Sequence, residues 1–144
     1  MEKQEILNNF KEILRENKLK FTPQRFSILE EVLSNNDHRE CENIYDSLKA
    51  KGKEISRATI YRTLEILVQG NFLRKMELGD GKARYESKIG NPHHDHLICN
   101  SCGNILEFMD PEIERLQEQV AKKFQFKITK HIHQIFGLCK SCNS

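Results

Sequence analysis

The sequence predicts an α+β chain: an N-terminal winged helix-turn-helix followed by a small α/β unit that carries a four-cysteine zinc site. Three observations predict it. Apolar residues recur at helical spacing between Ile6 and Val68, a Gly79-Asp80-Gly81 turn then joins two strand-like runs, and two Cys-x-x-Cys pairs bracket the C-terminal part.

The first helix is read from Ile6, Leu7, Phe10, Ile13 and Leu14. Thr22 followed by Pro23 is a cap and a proline-tolerant first position, and Ile28, Leu29, Val32 and Leu33 give the second helix its buried stripe. Cys41, Ile44, Tyr45 and Leu48 mark a third helix, which stops near Gly52. Ser56 caps a fourth, with Ile60, Leu64, Leu67 and Val68 inward and an end at Gly70 and Asn71. Its helical wheel turns Ala58, Arg62, Glu65 and Gln69 outward, with Thr59 and Tyr61 on the flanks and Arg57 at its start. Phe72 to Met76 and Lys82 to Glu86 are the two strands of the wing.

Beyond them, His94 to Cys99 and Asn104 to Met109 read as strands. Pro111 opens a helix with Ile113, Leu116, Val120, Ala121 and Phe124 on one side, and Lys127 to Phe136 alternates as a strand whose apolar face is Ile128, Ile132 and Phe136. The expected organisation is a winged helix over 1–86, a hinge over 87–91 and a second domain over 92–144.

The net charge of +2 over 144 residues does not by itself announce a nucleic-acid binder. It is an average, however. Lys49, Lys51, Lys53, Arg57 and Arg62 face only Glu54 in the stretch from Lys49 to Arg62, and Lys18, Lys20 and Arg25 form a second basic cluster. The absence of a long apolar run excludes a helical membrane span, and the first twenty residues mix acids and bases too densely for a signal peptide. A cytoplasmic chain is expected, in which paired thiols bind metal and do not form disulfides.

Four of the five Cys and five of the six His lie beyond Lys88. Cys99, Cys102, Cys139 and Cys142 can surround a tetrahedral structural Zn(II), and a redox dithiol is disfavoured because neither pair has a thioredoxin-type strand-to-helix setting. In the run His93-His94-Asp95-His96, alternation along a strand puts His94 and His96 on one face and His93 and Asp95 on the other, so one segment can feed two sites. Nitrogen with carboxylate ligands suits Fe(II), Zn(II) or Mn(II). A zinc hydrolase would need an open metal with a general base, and the chain has no His-Glu-x-x-His helix. A zinc-ribbon adaptor for protein partners is the other alternative.

Several segments match one known family in order: Leu19 to Arg25, His38 to Tyr45, Ser56-Arg-Ala-Thr-Ile-Tyr-Arg62, Arg84-Tyr-Glu86, the run from His93 to Gly103, Glu107-Phe108 and Cys139-x-x-Cys142. On these the chain resembles the ferric uptake regulator family over nearly its whole length. The resemblance implies a homodimeric, metal-dependent DNA-binding transcription regulator, a repressor rather than an enzyme, whose second domain is a dimerisation domain; tetramers remain open. It places structural zinc on the four cysteines, a regulatory ion on His38, Glu86, His94, His96 and Glu107, and a further site on His93, Asp95, Glu114 and His131. It places contacts to palindromic operator DNA on Lys20, Arg57, Thr59, Tyr61 and Arg62, with Arg25 nearby. Peroxide-sensing members tend to carry Asp where this chain has Glu86 and Glu107, so Fe(II) sensing is expected ahead of peroxide sensing through Fe(II) or Mn(II), with zinc sensing third. Cys41 and His133 depart from the family pattern. Cys41, three residues after His38, is either within reach of a shared metal or a small hydrophobe on its helix, the second reading being favoured; His133, on the same face as His131, either assists the further site or is a solvated strand histidine, the second again being favoured.

Overall fold

The computed structural model describes residues 2–34, 36–77, 81–89 and 94–143, and the chain divides into two compact units, Met1–Pro92 and His93–Ser144. The Gly79-Asp80 part of the wing turn, Gly90 and Asn91 of the hinge, and His93 lie outside the described residues.

The first unit contains α1 (Lys3–Glu16), α2 (Pro23–Leu33), α3 (Cys41–Ala50), α4 (Arg57–Gln69) and a hairpin of β1 (Leu73–Glu77) and β2 (Ala83–Ser87). The starts of α2 and α4 follow the caps in the sequence. The Thr22 hydroxyl accepts the Arg25 N–H at 3.2 Å and the Ser56 hydroxyl accepts the Thr59 N–H at 3.1 Å. Asn71, with φ 64°, takes the left-handed position that lets the chain leave α4 for β1.

Phe10, Leu14, Ile28, Ile44, Ile60, Leu64 and Leu67 are all buried in one core among the helices, and Leu73 and Tyr85 join it from the hairpin. Burying each such side chain contributes about 1.5–3 kcal/mol, so the four-helix core is sufficient to fix the hairpin against it. Val68 and Leu33 are only half-buried, while Thr63, absent from the expected stripe, is fully buried and donates its hydroxyl to the Thr59 carbonyl at 2.8 Å.

The segment between α2 and α3 is not a free loop. Arg39 N–H donates to the Tyr85 carbonyl at 3.0 Å and Tyr85 N–H to the Arg39 carbonyl at 2.7 Å, so this stretch adds a one-bridge third strand to the hairpin.

The second unit contains β3 (Asp95–Cys99), β4 (Ile105–Phe108), α5 (Pro111–Lys123) and β5 (Gln134–Gly137). Its sheet has the order β4-β3-β5, with β4 antiparallel and β5 parallel to the central β3. Asp110 caps α5 by accepting the Glu112 N–H at 2.9 Å.

The final strand differs from expectation. It starts at Gln134, not Lys127, because pairing with β3 begins where His96 meets Gln134; just before that the His96 N–H donates to the His133 carbonyl. The apolar faces expected inside are also largely outside: within this chain, Leu116, Val120, Phe124, Ile132 and Phe136 are exposed, Phe124 and Ile132 to 71% each. Ala121 is the one α5 residue that is buried.

Candidate metal centres and nucleic-acid interface

The two cysteine knuckles meet in the second unit. Cys99 ends β3, Gly103 (φ 76°) turns the chain back toward β4, and the Cys139–Cys142 turn follows β5, the strand beside β3. The four Sγ atoms lie within 4.8 Å of one another, with Cys102 and Cys139 at 3.7 Å. The N–H groups of Cys102 and then Cys139 point at the Cys99 sulfur, at 3.5 and 3.4 Å, and hold its pKa down at about 6. The Ser101 hydroxyl favours the Cys142 thiolate, yet the sulfurs of Cys139 and Cys99 push that thiol up to about 11. One thiolate comes easily and the fourth does not without a cation among them, so the donor set fits a tetrahedral Zn(II).

Residues 94 to 96 alternate across β3 as the sequence requires. His94 and His96 share a face, ring centroids 4.9 Å apart, and His94 Nε2 lies 3.4 Å from Glu107 Oε1 on β4, where His96 and Glu107 are directly opposed. Asp95 is directed to the other side, where Asp95, Glu114 and His131 gather: His131 Nε2 is 3.3 Å from Glu114 Oε1 and 3.7 Å from Asp95 Oδ1. One nitrogen and two carboxylates within 4.8 Å suit a divalent cation.

In the first unit, the Arg39–Tyr85 bridge brings His38 beside β2, and His38 Nε2 lies 2.6 Å from Glu86 Oε2. The Glu86 side chain is fully buried, and its other oxygen meets Arg74 Nη1 of β1 at 2.5 Å. Arg74 stands directly opposite Glu86 in the hairpin register, so this partner was readable by counting across the turn.

Along α4, Tyr61 and Arg62 are exposed and Thr59 half-buried. Two expected features change. Arg57 is held by Glu42 through a bidentate pair at 2.7 and 2.8 Å and stacks 3.9 Å above the Tyr45 ring, because α3 and α4 pack together at that point. Glu65 does not face solvent with Arg62: it accepts from the Tyr85 hydroxyl at 3.0 Å and Lys75 Nζ at 3.1 Å. Lys51 is committed as well, to buried Glu31 at 2.6 Å, so the local basic surplus is smaller than the sequence count. Lys20 is exposed, whereas Arg25 donates to the Lys20 carbonyl at 2.6 Å and shapes the turn into α2.

Glu31 is the buried charge that the sequence reading missed. It accepts from Arg39 at 2.7 Å, Ser47 at 2.9 Å and Lys51 at 2.6 Å, joining α2, the bridge segment and α3. Its position three residues after Ile28, on the buried stripe, was the available indication.

Residues 16–136 match the sequence profile of the ferric uptake regulator family. The chain belongs to the ferric uptake regulator family. Among curated family relatives, the ferric uptake regulation protein of Campylobacter jejuni is 38% identical over 141 residues, covering 96% of this chain and 89% of the relative. Among solved structures, the ferric uptake regulator of Helicobacter pylori, described as having three functional metal-binding sites, is similar at a TM-score of 0.87 and 36% identity, covering 98% of this chain and 93% of that one. The Francisella tularensis regulator, solved with iron, aligns at a TM-score of 0.79 and 32% identity over 88% of this chain and 96% of that one.

Proposed function

We propose that this member of the ferric uptake regulator family is a homodimeric, metal-dependent DNA-binding transcription regulator, a repressor whose regulatory ion is Fe(II). The observation that carries this reading is the division of its nitrogen and carboxylate donors. His38 and Glu86 belong to the first unit, and His94, His96 and Glu107 to the second, so each unit holds only part of a coordination shell. A divalent ion, when bound, supplies a cation that both partial sets favour. The chain's own residues then act in sequence. His38 and Glu86 commit the bridge segment and β2, β2 carries Tyr85 against α4, and α4 presents Tyr61 and Arg62 to DNA.

Zn(II) on Cys99, Cys102, Cys139 and Cys142 has a structural part in this reading, tying residues 139–142 to the end of β3. Asp95, Glu114 and His131 form a further site, with Mn(II) or Zn(II) as alternative occupants. The exposed Leu116, Val120, Phe124 and Phe126, which flank an open groove of about 650 Å³, suit burial against a second copy of this chain. Among the described residues no helix is long and apolar enough to cross a membrane, and this reading puts the protein in the cytoplasm, where paired thiols stay reduced for Zn(II).

The test is anaerobic binding of zinc-loaded protein to palindromic operator DNA with and without Fe(II) or Mn(II), at a stated salt concentration. Added metal is expected to raise affinity by about 5–150-fold. Affinity indifferent to added Fe(II) and Mn(II) would overturn the switching role. Mild peroxide treatment of the Fe(II) form separates the peroxide-sensing alternative: unmodified His38 and His94 by mass spectrometry support the iron reading, and oxygen addition at either supports the other.

A further inference from the structure

We propose that Arg74 sets the affinity of the regulatory site, acting as an internal cation with which the incoming metal ion shares Glu86. This inference rests on the assignment of Glu86 as a ligand. The Glu86 side chain is fully buried and its two oxygens are divided: Oε1 takes Arg74 Nη1 at 2.5 Å and Oε2 takes His38 Nε2 at 2.6 Å. Arg74 cannot swing away at no cost, because strand pairing puts the two residues directly opposite each other and its side chain is three-quarters buried.

Three consequences for a metal follow from that geometry. The guanidinium holds one carboxylate oxygen, so a metal would bind on the side of the other, which faces His38. It draws charge from the carboxylate and lowers its donor strength. It also keeps a permanent positive charge, since an arginine does not deprotonate in proteins, on the same carboxylate as a divalent cation. Arg74 further orients Glu86, so charge and hydrogen bonding act in opposite directions, and in a buried setting the repulsion between cations is the larger effect.

The test uses the zinc-loaded full-length chain with His131→Ala, which removes a ligand of the other His/carboxylate cluster. Co(II) alone is titrated at increasing pH until its affinity no longer rises, because a buried carboxylate without a counter-charge holds its proton more tightly, and its ligand-field bands are followed on that plateau. Glu86→Gln in this background is expected to weaken Co(II) binding about tenfold or more. Unchanged binding there means that Glu86 is not a ligand, which overturns the assignment and the inference together.

With the Glu86 effect in hand, Arg74→Gln keeps a hydrogen-bond donor but removes the charge, and is expected to bind Co(II) about tenfold more tightly. Arg74→Lys, which keeps the charge, is expected to stay near the parent. Equal or weaker binding by Arg74→Gln overturns the role of Arg74 while leaving Glu86 as a ligand. Should Arg74→Gln fail to fold, Arg74→Thr, which suits a strand, carries the same expectation and the same refutation.

Discussion

The Tyr85 hydroxyl on β2 donates to the Glu65 carboxylate on α4 at 3.0 Å, one residue before the buried Glu86. Adjacent strand positions thus face different tasks: Tyr85 grips α4 and Glu86 faces His38 and Arg74. Burial, and then the bond to Glu65, raise the Tyr85 phenol above its ordinary range, so it remains a donor throughout the working pH range. Tyr85→Phe is expected to lower stability by about 1 kcal/mol in urea unfolding. It should also reduce the metal-induced gain in operator affinity, while Co(II) binding itself stays near normal.

Glu31 makes the first unit's stability depend on acid. Burial opposes its ionisation, but the hydrogen bonds from Lys51, Arg39 and Ser47 outweigh burial and lower its pKa. A lowered folded-state pKa gives stability that is present above the unfolded value of about 4.3 and disappears as pH falls through the folded value. Glu31→Gln is expected to cost about 3 kcal/mol at neutral pH, since Arg39 then loses its buried partner charge. The variant's denaturation midpoint should change less than the parent's as the solution is acidified below pH about 4.

For the cysteine cluster, chelation of Zn(II) or Cys142→Ser is expected to loosen the second unit and spare the helical core of the first. Circular dichroism with proteolysis checks this, since cleavage should concentrate beyond residue 93. A second unit that stays protease-resistant without zinc would contradict the structural role.

Arg62→Ala and Glu42→Gln should move DNA binding in opposite directions. Arg62 is exposed on α4, and its loss is expected to weaken operator binding by about 1–3 kcal/mol with zinc content unchanged. Glu42 neutralises Arg57 through two hydrogen bonds, so Glu42→Gln should free a cation, strengthen binding to any duplex and steepen the salt dependence by about one unit of slope. Fluorescence anisotropy over a salt series measures both.

The fold could be read in the sequence wherever a local rule acted alone. Thr22 and Ser56 each precede a helix with the expected cap, and the alternation of His94, Asp95 and His96 requires nothing beyond a strand. What could not be read depended on partners distant in sequence. Glu31 looks like an acid out of place until Arg39, Ser47 and Lys51 surround it, and Glu65 looks solvent-facing until the hairpin folds back onto α4. Residues 127–133 carry the alternation of a strand, but strand state also requires a neighbour, and β3 supplies one only from Gln134 onward. The four cysteines and the run from His93 to His96 were legible by type and spacing, whereas His38, Glu86, Glu107, Glu114 and His131 became candidates only through the family resemblance. Arg74 was missed, although the hairpin register that sets it opposite Glu86 can be counted across the turn.

Strand β3 also constrains how this chain can change over generations. Because His94 and His96 serve one group of donors and Asp95 the other, loss or gain of a single residue inside the strand would hand each group the wrong side chains at once. Substitutions along β3 can be tried one position at a time. Length cannot, so the spacing from His94 to Cys99 is inherited as a unit, shared by both His/carboxylate clusters and the first cysteine knuckle.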